Sequence, residues 1–178
     1  MDKATTGGQD GVLRIWSIKS LKLVAELENP RRWIDQLAWH PSCNQVAFSL
    51  GKKVQIWDAE SRSAIAQLDF ENSSIFGMAW HPEGKHLAAS GSKGVKVWNA
   101  LRWNEVPRKL EIPSASGAIA WSGDGQRIAV ANAEQLAQLL TGASGGFCGL
   151  AWHPQGHKLA AGGQGGEVLI WKRDDSEV

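Results

Sequence analysis

Three histidines stand directly before proline, at His40, His81 and His153, and this recurrence is the first pattern in the chain that could do chemistry. A ring of imidazoles could hold a metal ion. His153 and His157 also have the four-residue spacing that places two nitrogens on one face of a zinc-binding helix. Cys148 precedes His153 by five residues, and the glycine-rich stretches GSKG (91–94) and GGQGG (162–166) have the composition of loops that wrap phosphates. Residue type alone settles none of these. Each depends on the element that carries it.

Phe76 to Trp98 shows what those elements are. FGMAW is a short apolar run, HPEG a turn, HLAAS a second apolar run, GSKG a turn, and VKVW alternates with period two. The pattern predicts strand, turn, strand, turn, strand, with no room for a helix. His-Pro therefore occupies the turn between the first and second strands. Equivalent turns in neighbouring units lie too far apart to share one ion, whose bonds to nitrogen are about 2 Å long. His153 and His157 straddle a turn and a strand, so the zinc-helix geometry fails. An odd separation puts Cys148 and His153 on opposite faces of a strand. The glycine loops open into strands rather than helix N-termini and are tight hairpin turns. WSGDG at 121–125 is a turn as well, and no GxSxG elbow occurs. The sequence thus predicts no catalytic residue, no metal ligand and no cofactor, and a protein that is not an enzyme.

The unit repeats. Trp39, Trp80 and Trp121 are spaced by 41 and 41, with Trp152 following after 31, and Trp16, Trp57 and Trp98 are again spaced by 41 and 41, with Trp171 resuming the series. Ala47, Ala88, Ala129 and Ala160 each lie eight residues after a tryptophan of the first series, preceded by Val46, Leu87, Ile128 and Leu159. Repeated strands need such matched apolar positions to pack alike. The units read as 1–28, 33–70, 74–112, 116–140 and 146–172, with a polar tail at 173–178. The first is expected to start within a second strand, because TTGGQDGVLRIW matches AAGGQGGEVLIW near the other end. The fourth lacks its third strand; LAQLL within 133–142 reads as a fourth strand, or as a short helix on the propensities of Ala, Glu, Gln and Leu.

Composition bounds the rest. The 178 residues suit one domain, and 19 basic against 18 acidic residues, mixed along the chain, give no footprint for nucleic acid or a membrane. No apolar run is long enough to span a bilayer. Cys43 and Cys148 fall in different units and form no motif, and the expected location is the cytoplasm.

A unit of about 40 residues, four strands with a tryptophan closing the third and an HPxG turn after the first, resembles the WD-repeat β-propeller family. Trp57-Asp58 is the one literal Trp-Asp pair; Ser17, Asn99 and Lys172 stand at its counterparts. The resemblance implies an all-β fold, a β-propeller of four-stranded antiparallel blades with about four to five blade units, the first, fourth and fifth incomplete. Family members often tie a Gly-His before the first strand, an Asp before the third and the Trp into one network. Asp10 sits in that turn but no unit carries the Gly-His, so these blades are expected to rely on apolar packing. A closed ring needs more blades than this. Either further propeller segment or a second copy, making a homodimer, is expected to close it.

The implied function is a non-catalytic protein-interaction scaffold. The alternatives are a propeller enzyme, or a cofactor or metal binder, with a channel site, and a dependent segment of a larger regulatory WD-repeat protein. Trp33 lies outside both tryptophan series, with Ser74, Ala115 and Gly146 at the matching positions, so the repeat does not demand it. Resemblance puts Arg31, Arg32, Trp33, Lys52, Lys53, Ile75, Phe76 and Lys93 on one face, as candidates for binding another protein. Trp103, also outside the series, is expected on the opposite face in local packing.

Overall fold

The computed structural model describes residues 2–29, 32–70, 74–112, 115–132, 147–155, 158–163, 166 and 168–172. Their strands are β1 (Lys3–Thr6), β2 (Val12–Ser17), β3 (Lys22–Glu28), β4 (Leu37–Trp39), β5 (Gln45–Leu50), β6 (Lys53–Asp58), β7 (Ser63–Asp69) and β8 (Ile75–Trp80). They continue as β9 (His86–Gly91), β10 (Gly94–Asn99), β11 (Arg108–Leu110), β12 (Ser116–Trp121), β13 (Ile128–Asn132), β14 (Phe147–Trp152), β15 (Lys158–Gly163) and β16 (Val168–Lys172). Each sheet is an antiparallel meander in chain order: β1–β3, β4–β7, β8–β11, β12–β13 and β14–β16. The expected all-β architecture of four-stranded antiparallel blades is therefore present, complete in the second and third sheets. The segment 133–142, expected as strand or helix, lies outside the described residues.

Period-two alternation explains why the sheets stack. Val46 and Phe48 of β5 face the first sheet, in a cluster with Leu13, Ile34 and Leu50, whereas Ala47 between them faces the third. The third sheet repeats the scheme: Leu87 and Ala89 join the core shared with Val54, Ile56, Leu68 and Phe70, while Ala88 packs forward against Ile119 and Val130. A fourth cluster, with Ala129, Ala131, Leu159 and Ala161, joins the last two sheets. Consecutive first strands also adjoin, β4 against β8, β8 against β12 and β12 against β14. The five sheets thus form a row in which each shares a dry interface with the next. Small alanines in the second strands let the sheets approach closely, and tryptophans fill the space nearer the turns.

Hydrogen bonds reinforce two of these interfaces. Trp80 Nε1 donates to the Ala38 carbonyl at 3.0 Å and Trp121 Nε1 to the Ala79 carbonyl at 3.2 Å, each indole reaching the first strand of the preceding sheet. The third-strand tryptophans behave differently. Trp16 Nε1 donates to Thr6 Oγ1 at 3.2 Å, but Phe48 stands where Thr6 does and Trp57 Nε1 is buried without a partner. Asp10 turns instead to Arg14 at 2.7 Å and to the Val12 amide, leaving Trp16 to Thr6. The expected reliance on apolar packing accordingly fits these blades.

Residues after the third-strand tryptophan do local work. Asp58 Oδ1 accepts the Glu60 and Ser61 amides at 2.8 and 2.9 Å, Asn99 Oδ1 that of Leu101 at 3.0 Å, and Ser17 Oγ that of Ser20 at 3.3 Å. Each side chain caps the turn into the outer strand, which is why Asp, Asn and Ser are interchangeable there. These backbone amides hold the Asp58 carboxyl below the usual carboxylate range.

Candidate functional site

The strongest sequence candidate is the connection from β3 to β4. Its course is set by the turn between β1 and β2, which lies beneath it. Asn29 N–H donates to the Gly11 carbonyl at 2.8 Å, Arg32 N–H to the Asn29 carbonyl at 3.2 Å and Ile34 N–H to the Gly8 carbonyl at 3.1 Å. Gly11 has φ of 72°, and a Cβ there would lie 2.4 Å from the Asn29 carbonyl oxygen and 2.7 Å from that of Arg32. Only glycine permits this approach. Further along, Ser49 Oγ of β5 accepts the Asp35 and Gln36 amides at 3.1 and 3.0 Å. The loop is therefore held at both ends.

Ile34 is the inward anchor, buried against Gly7 and the Phe48 cluster. Its neighbour Trp33 consequently turns outward and is 56% exposed. Arg32 reaches across to the Leu50 carbonyl, Nη1 to oxygen 3.4 Å. Together with Glu28, Asn29, Leu50, Lys53 and Gln67 it lines an open cavity of about 290 Å³ at the junction of the first two sheets. Lys53 Nζ donates to Gln67 Oε1 at 3.0 Å and lies 3.8 Å from Asp69. The cavity so formed is polar, with the cations Arg32 and Lys53 and the carboxylate Glu28 on its wall.

The structure thus brings Arg32 and Lys53 together, with Trp33 and the exposed Lys52 adjacent in the chain. Arg31 lies outside the described residues. Phe76 and Lys93 belong to the third sheet and do not line the cavity; Phe76 is 39% exposed and Lys93 is exposed in the β9–β10 turn. Ile75 requires a correction: it is 3% exposed and packs with Leu68, Phe70 and Trp98 between the second and third sheets, so it cannot offer a surface contact. The cause is a register shift between Ile75 and Gly77 along β9, which inserts Phe76 as an outward bulge. Gly77 makes it possible, since a Cβ there would meet Ser90 Oγ at 2.8 Å. Glu28, Asn29, Leu50 and Gln67 were not legible as site residues, because they come from the end of β3 and the residue after it, from β5 and from β7, and meet only when two sheets pack.

The His-Pro turns are structural. His40 Nδ1 accepts the Ser42 and Cys43 amides at 3.2 Å each, its Nε2 contacts the Gly84 carbonyl at 3.2 Å, and its ring packs edge-on against Trp80 at 4.7 Å. Burial pushes its pKa down, partly opposed by the Gly84 carbonyl. His81 Nδ1 accepts the Glu83 amide at 3.0 Å, and His153 Nδ1 that of Gln155 at 3.2 Å. Each nitrogen caps its own turn. Among the described residues no three His, Cys, Asp or Glu side chains gather as metal ligands. Trp103 packs edge-on against Trp80, with ring centroids 5.8 Å apart, in the local role expected of it.

Residues 63–99 and 134–172 match the profile of the family described as WD domain, G-beta repeat. The first match runs from β7 through β10, an outer strand followed by the first three strands of the next sheet. No curated protein matches the chain.

Proposed function

Starting from the chain's membership of the WD-repeat family, we propose that it is a non-catalytic scaffold that presents the Arg32–Trp33 loop and its cavity to another protein. WD repeats in general serve protein–protein interaction. The observation that carries the reading here is Trp33, an indole 56% exposed, next in the chain to the cavity-lining Arg32, on a loop fixed by backbone bonds at both ends. A large aromatic side chain held out by a rigid support loses little entropy on binding, and Trp and Arg are enriched among interface hot spots. Lys52, Phe76 and Lys93 extend the same reading as flanking contacts. The cytoplasm is the proposed location.

The test replaces Arg32 and Trp33 by alanine, singly and together with Arg31, and measures capture of co-purifying proteins alongside thermal unfolding. Trp33→Ala is expected to lower capture at least tenfold, about 1.4 kcal/mol or more, with little change in melting temperature because the indole is exposed. Undiminished capture by the triple variant overturns the site.

A further inference from the structure

Two of the five histidines meet at one junction between sheets. His81, in the turn after β8, and His86, which opens β9, lie with ring centroids 5.7 Å apart. Both rings pack on Trp121 of the fourth sheet, His81 T-shaped at 4.9 Å and His86 stacked at 6.3 Å. His81 also covers the next turn, where a Cβ on Gly125 would lie 2.1 Å from its Nε2. Trp121 answers across the same junction by donating Nε1 to the Ala79 carbonyl of β8 at 3.2 Å. The imidazole pair is thus part of the seam between the third and fourth sheets, which Ala88, Val95, Ile119 and Val130 complete.

Neighbouring seams are built without this pair. Between the second and third sheets His40 packs on Trp80 at 4.7 Å, but Gln45 stands forty-one residues before His86, and the second ring on that indole is Trp103 at 5.8 Å. At the seam between the fourth and fifth sheets, Ser122 and Arg127 stand forty-one residues after His81 and His86. Proton-binding groups are therefore concentrated at one place in an otherwise repeated design.

The charges around the pair do little to support an imidazolium. Within the β8–β9 turn Glu83 faces His81 but is paired with Lys85. On β10 Asn99 stands opposite His86 and donates to Glu105, which also pairs with Arg102 at 3.0 Å. Arg108 of β11 adds a positive charge, and in the β12–β13 turn Asp124 accepts the Ser122 hydroxyl and lies 3.9 Å from Arg127. Each of these carboxylates already has a cation or hydroxyl partner. Burial first, then His81, Arg108 and Lys85, push the His86 pKa below the ordinary histidine value. An indole face accommodates one imidazolium, whereas two rings at this separation repel when both are charged.

We propose that His81 and His86 form a proton-sensitive latch, and that acidification opens the seam between the third and fourth sheets before the seam between the second and third. A depressed imidazole pKa means that the closed seam prefers the neutral ring. Its contribution is present above the unfolded value of about 6.5 and is lost as pH falls through the folded value. Separate core clusters hold the successive seams, so one can open without global unfolding. Opening would uncover Ala88, Val95, Ile119 and Val130, a set of apolar side chains hidden at neutral pH. The Arg32 cavity belongs to the first two sheets, so this latch and the binding reading stand or fall separately.

The test reads the two indole N–H groups that bridge consecutive seams, Trp80 to Ala38 and Trp121 to Ala79. Their hydrogen-exchange protection factors, which remove the intrinsic effect of pH on exchange, are measured by NMR on the full chain at pH 7 and pH 5, with assignments from Trp80→Phe and Trp121→Phe. Protection of Trp121 is expected to fall at least tenfold more than that of Trp80. His86→Gln supplies the residue that Gln45 provides in the second sheet, and is expected to bring the two falls within about threefold of each other. His81→Ser, after Ser122, is expected to do the same and to raise the pH at which the His86 ring titrates. Equal falls at the two indoles in the unsubstituted chain, an excess at Trp121 that survives a folded variant, or a His86 ring titrating at or above the ordinary histidine value would each overturn the proposal.

Discussion

Tryptophan does two jobs in this chain, and substitution separates them. Trp80 spends its indole N–H on Ala38, whereas that of Trp57 is buried and unpartnered. Trp80→Phe is therefore expected to cost about 1 kcal/mol beyond the packing change, and Trp57→Phe to be neutral or stabilising, as read from chemical denaturation. Histidine gives a pH signature. Burial lowers the pKa of His40 and, aided by His81, Arg108 and Lys85, that of His86. A depressed imidazole pKa means that the folded state prefers the neutral ring. Its contribution is present above the unfolded value of about 6.5 and is lost as pH falls through the folded value. Melting temperature should drop between pH 7 and 5. His40→Asn, which keeps an acceptor for the Ser42 amide, should flatten that slope.

The turns decide how strands become sheets that stack. Gly84 and Gly51 both have positive φ, 73° and 64°, but only Gly84 is covered by a side chain of the preceding sheet. Alanine at Gly51 should cost about 1 kcal/mol, the penalty of a left-handed backbone. At Gly84 it must also displace the His40 ring from its place against Trp80, so at least twice that loss is expected. Equal losses in denaturant unfolding would show that the His40 contact contributes nothing. The turns from the third to the fourth strand tell the opposite story: Leu21 and Arg62 adopt φ of 52° and 54° without being glycine. Both are exposed, and Leu21→Gly should stabilise by up to about 1 kcal/mol.

At the scale of the whole molecule the core clusters of the described residues each join adjacent sheets, so stability is a sum of sheet and interface contributions rather than one indivisible core. The middle of the row, where complete four-stranded sheets meet, should unfold last. Amide exchange is expected to be slowest in β5, β6, β9 and β10 and fastest in β1 and β16, whose Val168 and Ile170 are about two-thirds exposed at 70% and 67%. Uniform protection along the chain would contradict that picture. The cost of losing core volume should follow the same gradient: Leu87→Ala, at a site with no exposure, should destabilise by about 2–5 kcal/mol.

Much of this was legible in the residues themselves. Period-two alternation, the 41-residue tryptophan spacing and the Gly and Pro positions fixed the strands, their order and their antiparallel pairing, because those features depend on contacts within one unit. The same reasoning put His40, His81 and His153 in turns and Trp103 in local packing. The bulge that buries Ile75 and expels Phe76 was not legible, since one inserted residue inverts the inside-outside pattern and only the pairing with β9 reveals it. Nor was the cavity, whose wall is shared by Glu28, Arg32, Lys53 and Gln67 from two sheets. Sequence determined the repeating unit through local backbone preference and periodicity. Tertiary structure decided which copies of that unit leave a donor unsatisfied or an indole exposed, because those properties belong to the neighbour a sheet packs against.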